Sequence, residues 1–509
     1  MAKTITRTKP LHKTVGFYFV LIYAIITTLF IYQAYALNLI PMKYLLPVSA
    51  VLVLFLFMLG YLQIGKHVNK INRVLGKLLI VVLSVILGAG NWYIYHTGSF
   101  FRNMIFNGKD VIVVSVVVKK DSGYDTIDDL KNKTVGSISL GDAETMAKAI
   151  TDLKDDLNGK VEMENYTSYK TYAEALYDGE VDAVLLNEGS RGLMEDSKSS
   201  FTSDTKVIKQ YTFEKDAKQF SKGVNVTKKP FNVYITGIDT YGSLGTVSRS
   251  DVNMIVSINP ITHQILMLGI PRDYYVAQTC QDNQLDKLTH TGMFGVDCTI
   301  ETMENVMDID LNYYARVNFS SLVDIVDALG GVDVESPFAF QSKFGYLYQE
   351  GMNHLNGEEA LGFARERKNL ADGDNERSRN QMRLLKAIIN KAISPSIITN
   401  YTDVLEAVSG SFQTNMTQNE MTAFVKAQLN SMKGWDIKQI QLKGEGATKW
   451  TPANGFDAYV MIPEEGSIES AHNLIEKLHN GELITDEDVE YHENQMYLYE
   501  TDEVVEDVE

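Results

Sequence analysis

The sequence has no GxxxxGK[ST] phosphate loop, no HExxH, no CxxC pair and no GxSxG elbow. The familiar nucleotide, zinc and serine-hydrolase chemistries therefore lack their usual carriers. Cysteine is nearly missing: Cys280 and Cys298 are the two in 509 residues. An excess of positive charge is missing as well, since 47 basic residues face 65 acidic ones and the net charge is −18. General affinity for nucleic acid needs a broad positive face. No nucleic-acid partner is expected, and any anion site must be a local constellation. No repeat or low-complexity block stands out. Hydrophobic content of 45% and charged content of 22% are ordinary for a folded chain, and the length admits two or three domains.

The first hundred residues are of a different kind. Residues 14–36, 45–65 and 78–95 are apolar runs long enough to cross a bilayer. The basic start and the "AYA" at Ala34–Ala36 also suit a cleavable signal peptide, but the first run is too long for a signal core and two more follow. Three spans in residues 1–97 are the expectation. Lys3, Arg7, Lys9 and Lys13 precede the first, and Lys66, Lys70, Arg73 and Lys77 separate the second and third, against Lys43 alone between the first two. Basic flanks stay in the cytoplasm, so the N-terminus is placed inside, with everything after about Gly98 outside the cell membrane. Trp92, Tyr93 and Tyr95 suit the outer aromatic belt. Outside, a bridge between Cys280 and Cys298 is permitted and is favoured over two free thiols.

The exterior part is expected to be α/β. In residues 98–225, "VIVVSVVVKK" predicts a buried strand, and "AETMAKAITDL" and "TSYKTYAEALYDG" predict helices between further strands. The pattern resembles one lobe of a bacterial solute-binding protein. It carries no reactive constellation, so a spacing or docking role is expected for this accessory domain. Residues 226–460 are expected to form the main domain, opening with the strand "FNVYITGID" and two apolar strands, "VNMIVSINP" and "QILMLGIPRD". "SSLVDIVDALGG", "NGEEALGFAR" and "DNERSRNQMRLLKAIINKAI" read as helices, which implies a sheet packed between helices. Residues 461–509 close the chain, and the acid-rich stretch from Asp486 to Glu509 is expected to be disordered.

What the main domain has in quantity is arginine beside aspartate at strand ends and loops. Asp239 closes the first strand, Arg249 and Asp251 stand in "SRSD", Arg272 in "PRD" and Lys287 in "DKLTH". Arg365 and Arg367 alternate in "ARER", so an extended backbone would point both to one side. Asp374 is expected at a helix N-cap, with Arg377 and Gln381 spaced i, i+4 on one helix face. Taken singly, each pair is an ordinary surface ion pair. Taken together, guanidiniums that grip phosphate with two prongs and never deprotonate imply a multiply charged phosphate ligand. Carboxylates among them would repel it unless a cation intervened, so Asp239 and Asp251 suggest a divalent ion, Mg²⁺. Arg379, Lys386 and Lys391 are expected to be solvated.

The motifs "GID", "RSD", "PRD", "FSSLVDIVDALGGVDV", "GMNHLNGEEALGFARER" and "GDNERSRNQ" follow one another from Phe231 to about Ser394, and this succession resembles the catalytic domain of the LytR-CpsA-Psr (LCP) family. Three N-terminal spans and an accessory domain resemble its streptococcal capsule-associated, CpsA-type branch. The resemblance implies an α/β/α sandwich with an apolar pocket beside a charged mouth. It implies a membrane-anchored phosphotransferase that moves a glycopolymer, capsular polysaccharide or teichoic acid, from a polyprenyl-pyrophosphate carrier to peptidoglycan with Mg²⁺, with capsule synthesis or export proteins as candidate partners. Asp239 and Asp251 would hold the metal. Arg249, Arg272, Arg365, Arg367, Arg377 and Gln381 would hold the pyrophosphate, with Lys287 as an addition. Asp374 would orient those arginines or act as base, and the residues leave both roles open. In "RSRNQ" the second arginine is displaced to Arg379, which puts its contact with the ligand in doubt. A pyrophosphate hydrolase and a non-catalytic lipid-binding regulator are the rival functions.

Overall fold

The structure is a computed structural model that describes residues 15–105, 109–138, 140–216, 222–238, 247–394, 404, 407 and 412–494. Its contacts divide it into two units, Met1–Asn103 with Thr417–Lys433, and Met104–Met416 with Gly434–Glu509.

In the first unit, α1 (Val15–Leu37), α2 (Met42–Ile64) and most of α3 (Lys70–Met104) are helices long and apolar enough to cross a membrane. Tyr23, Leu59, Ile80 and Leu87 pack among them, while most of their other apolar side chains face outward. That is the burial pattern of a surface facing lipid rather than water. The third helix starts well before the expected position. Lys70, Arg73 and Lys77 therefore lie on its first turns and not in a loop. The guanidinium of Arg73 donates to the Gly65 carbonyl at 2.9 Å and ties this start to the end of α2. Lys3, Arg7, Lys9 and Lys13 lie outside the described residues.

The second unit contains two separate sheets. The first comprises β1 (Lys109–Lys119), β2 (Thr134–Ile138), β3 (Glu162–Tyr166), β4 (Ala183–Asn187) and β5 (Thr205–Asp216), in the order β3-β2-β4-β1-β5. Around it lie α4 (Ala143–Asp156), α5 (Tyr169–Asp178), α6 (Arg191–Ser197) and the single turn α7 (Phe201–Asp204). Gly179, in the left-handed region at φ 78°, ends α5.

The larger domain begins with β6 (Phe231–Ile238), β7 (Ser250–Asn259) and β8 (Gln264–Gly269). The hairpin β9 (Tyr275–Gln278) and β10 (Gln284–Lys287) follows, then α8 (Leu288–Thr291), α9 (Val296–Met307), β11 (Tyr313–Asn318) and α10 (Phe319–Ala328). Four short strands, β12 (Val332–Ser336), β13 (Phe340–Gln341), β14 (Leu347–Tyr348) and β15 (Gly351–Leu355), precede α11 (Gly357–Arg365) and α12 (Gly373–Ala392). With β16 (Phe412–Thr414) and β17 (Asp436–Gln441), the central sheet runs β16-β11-β6-β7-β8-β17. Alternate residues of β7 serve opposite faces, as the two-residue period requires. Ile255 packs with α9 and the helix Glu465–His479, whereas Met254 and Val256 pack with Met382 and Leu385 of α12. Helices on both faces give the expected α/β/α sandwich.

The C-terminal expectation is corrected. Asp486–Asn494 is a helix, not a disordered tail: His492 is buried and bonds the Gln441 carbonyl at 3.1 Å, and Lys477 pairs with Asp488 at 2.7 Å. Lys438, Lys443 and Lys477 give Asp486, Glu493 and Asp488 partners that an acid count overlooks. Residues 495–509 lie outside the described residues.

Cys280, in the turn after β9, is bonded to Cys298 in α9, with Cα atoms 5.4 Å apart. The bridge closes a separation of 18 residues, for which the unfolded chain loses about 3 kcal/mol of entropy. Replacing both cysteines with serine should lower the unfolding free energy in urea by about that amount.

Candidate active site

The sheet's own geometry gathers the charged residues. Arg249 and Asp251 stand at the start of β7, and Arg272 follows the end of the antiparallel neighbour β8, so all three meet at one sheet edge. The Arg272 Nη1 donates to Asp251 Oδ1 at 2.8 Å, and the Thr289 hydroxyl of α8 donates to the same oxygen at 2.8 Å. The Thr289 backbone in turn donates to the Arg272 carbonyl at 2.9 Å, which locks the loop after β8 against α8. From the helical side, α11 delivers Arg365 at its last turn and α12 delivers Arg377 in its second turn.

These parts line one cavity of about 220 Å³, which takes in Arg249, Asp251, Arg272, Arg365, Arg367, Arg377 and Gln381. Lys343 and Lys368 complete the wall, so seven cations face only two carboxylates, Asp251 and Glu366. Burial alone would raise the Asp251 carboxyl; Arg272, Arg249 and Arg377, with the Thr289 hydroxyl, outweigh it and hold the group well below the usual carboxylate range. Asp251 in turn raises Arg272 above its ordinary value. Arg377 is the exception: burial, with Arg272 and Arg367 nearby, pushes it down despite its 2.7 Å pair with Asp374. A cavity whose cations already destabilise one another suits a multiply charged anion.

Glu366 serves differently from the arginines on either side of it. It is buried to 1% exposure, and its carboxylate accepts from the backbone amides of Lys343, Arg367 and Asn369, the last two at 3.0 Å. One internal anion therefore fixes the extended segment after α11 and draws in the β13–β14 turn that carries Lys343. The alternation in "ARER" was the available signal for an inward residue between two outward ones. Lys343 had no such signal, because it reaches the cavity from a turn remote in sequence.

Several expected residues lie elsewhere. Lys287 pairs with Asp273 at 3.0 Å and is not part of the cavity wall. Asp374 is not the N-cap of α12, a position held by Asp372; it sits in the first turn, bound to Arg377. Arg379 is not simply solvated: it pairs with Asp372 at 2.6 Å and Glu376 at 3.0 Å, away from the cavity. Asp239 lies outside the described residues.

A second cavity, of about 270 Å³ and almost wholly apolar, opens beside the first. Leu322 and Ile325 of α10 and Leu384, Leu385 and Ile388 of α12 form its sides, and Met254 of the sheet contributes to it. The two cavities share Asp251, Val252, Ala364, Arg365 and Gln381. The Gln381 amide donates to the Ala364 carbonyl at 3.2 Å, which holds this common wall together.

For a divalent cation, Asp251 offers an ionised, hard oxygen donor at the cavity wall. Among the described residues no three His, Cys, Asp or Glu side chains converge. One carboxylate completed by water and ligand phosphate is nevertheless a donor set that suits Mg²⁺.

Residues 195–475 match the model of the LytR_cpsA_psr family. The chain belongs to that family. Its similarity to the polyisoprenyl-teichoic acid–peptidoglycan teichoic acid transferase TagU of Bacillus subtilis (strain 168) is 37% identity over 245 residues, 48% of this chain and 77% of that protein. With the TagU of Bacillus anthracis it is 34% over 250 residues, 49% of this chain and 80% of the relative. Among solved structures, B. subtilis TagV aligns with TM-score 0.42 and 29% identity over 50% of this chain and 99% of that one. TagT bound to LI-WTA aligns with TM-score 0.41 and 26% identity over 52% and 95%. A second family model, described as DNA polymerase processivity factor, matches residues 70–186, a range that begins inside α3.

The buried Glu366 carboxylate generates a stability prediction for this family member. Glu366→Gln keeps the shape but loses charge-assisted bonds to the backbone amides, and should cost about 2 kcal/mol in urea unfolding.

Proposed function

We propose that this protein is a membrane-anchored glycopolymer–peptidoglycan transferase that takes its polymer from a polyprenyl-pyrophosphate carrier. The observation that carries this reading is the wall common to a cation-lined cavity and an apolar one. Only an amphiphile with a multiply charged head and a hydrocarbon tail satisfies both. The relatives' names supply the reaction class: TagU is a transferase of teichoic acid from a polyisoprenyl carrier to peptidoglycan. Capsular polysaccharide is our preferred polymer, on the ground of the three apolar helices and the additional domain.

In the proposed reaction an acceptor hydroxyl of peptidoglycan attacks the phosphorus that carries the sugar. A new phosphorus–oxygen bond forms to the acceptor, the bond to the bridging oxygen breaks, and polyprenyl phosphate leaves with that oxygen and its electron pair, which in the net reaction take up the proton lost by the hydroxyl. Arg272, Arg249 and Arg377 hold and orient the pyrophosphate and neutralise the charge that grows on the leaving oxygen. Asp251 and Asp239 would hold Mg²⁺, which when bound would supply Lewis-acid stabilisation of the phosphate oxygens. Asp374 is given the orienting role, because its carboxylate is committed to Arg377 at 2.7 Å. The N-terminus is placed in the cytoplasm and the catalytic part outside, where the Cys280–Cys298 bridge persists. Anchoring keeps the site close to its lipid substrate and raises the effective concentration.

Asp251→Ala, in cells lacking paralogous enzymes, should leave polymer synthesis running while wall-bound polymer falls and released polymer rises; unchanged attachment would defeat the proposal. Arg367→Lys keeps the charge but loses the two-pronged grip. With a purified lipid-linked saccharide and peptidoglycan fragments it should reduce transfer about tenfold.

A further inference from the structure

The accessory domain, for which the sequence offered only a spacing or docking role, reaches the cation-lined cavity. The Asp196 carboxylate of α6 pairs with Arg249 Nη1 at 3.1 Å. The guanidinium lies so close to the backbone at Gly192 that a Cβ there would stand 2.2 Å from Arg249 Cζ and 2.5 Å from Nε. A Cβ at Gly189 would likewise stand 2.5 Å from the Val247 carbonyl oxygen. A side chain at Gly189 would have to displace the backbone that leads into β7, and one at Gly192 would have to push the Arg249 guanidinium aside. The Val247 amide donates to the Val111 carbonyl of β1 at 3.0 Å, and the nearly buried Arg316 of β11 pairs with the nearly buried Asp110 of β1 at 3.3 Å. The two sheets are thus joined by backbone, by a buried ion pair and by the contact on Arg249.

We infer that α6 of the accessory domain is a positioning element of the phosphate site, setting the aim of Arg249 through the backbone at Gly192 and the carboxylate of Asp196. Arg249 has a long, flexible stem and five donors. Its Nη1 is engaged by Asp196, and the guanidinium nonetheless forms part of the cavity wall and helps to keep Asp251 ionised. An arginine already held in place loses less side-chain freedom when an anion arrives, so affinity rises without any new contact to the ligand. Asp196 and Gly192 act through Arg249 and not on the ligand. The inference rests on the pyrophosphate reading of the cavity.

The test uses the full chain in detergent, with geranyl pyrophosphate as the probe and calorimetry as the readout. Asp196→Asn should weaken binding about fivefold. Gly192→Ala, which forces the guanidinium to move, should weaken it further, with the unfolding midpoint of each variant close to that of the parent. In an Arg249→Ala background neither substitution should change the affinity again, because both act through the missing side chain. Additive losses in that background would reduce the contact to a general structural one and overturn the inference. Tighter binding by Asp196→Asn would make Asp196 a competitor for Arg249 and overturn it equally. If the parent binds the probe and both variants match it, the positioning role fails while the pyrophosphate reading stands. A parent that binds no probe defeats both.

Discussion

A carboxylate placed among guanidiniums is the constraint on which the charged cavity depends. The Asp251 side chain is only 10% exposed, and removing a carboxylate from water is costly unless cations and donors compensate. Arg272 and Thr289 supply that compensation at 2.8 Å each, on a single oxygen. The reciprocal holds for the arginines: without Asp251, Arg272 and Arg377 would confront each other with little between them. The ion pair is therefore a device for concentrating positive charge in a small volume of a chain whose net charge is −18. Interspersed acids do not dilute the cluster; they make its density possible.

The sheet serves this constraint in a simple way. Two antiparallel strands bring the start of one and the end of the other together, so residues that are distant in sequence share an edge. The helices then add arginines and apolar side chains beside that edge. The same α12 carries Arg377 toward one cavity and Leu384, Leu385 and Ile388 toward the other. The charged and the apolar cavity thereby share one helix.

Much of this was legible in the sequence, and for local reasons. Asp251 and Arg272 flank apolar strands whose ends are marked by composition alone, and the heptad-like spacing of α12 separates its polar face from its apolar one. The membrane helices were equally plain, apart from the early start of α3, where Lys70, Arg73 and Lys77 disguise a helix as a loop. What composition could not reveal was long-range. Lys343 arrives from a hairpin turn, Asp196 from a helix of the accessory domain, and Glu366 turns inward because three backbone amides await it. Arg379 differs from Arg377 by two positions, which on a helix is slightly more than half a turn, and it meets Asp372 and Glu376 instead of the cavity. The acid-rich C-terminal stretch misled for the same reason, since its partners Lys477 and Gln441 are not its neighbours in sequence.

The wall shared by the two cavities has a kinetic implication under the proposed reaction. The spent carrier keeps its isoprenoid and one phosphate, so it still occupies the greasy compartment and still meets Arg365 and Gln381 at the boundary. Departure of the used lipid then competes with arrival of the next loaded one, and turnover becomes limited by clearance. An enzyme arranged in this way would work at the pace at which the surrounding bilayer draws its by-product away.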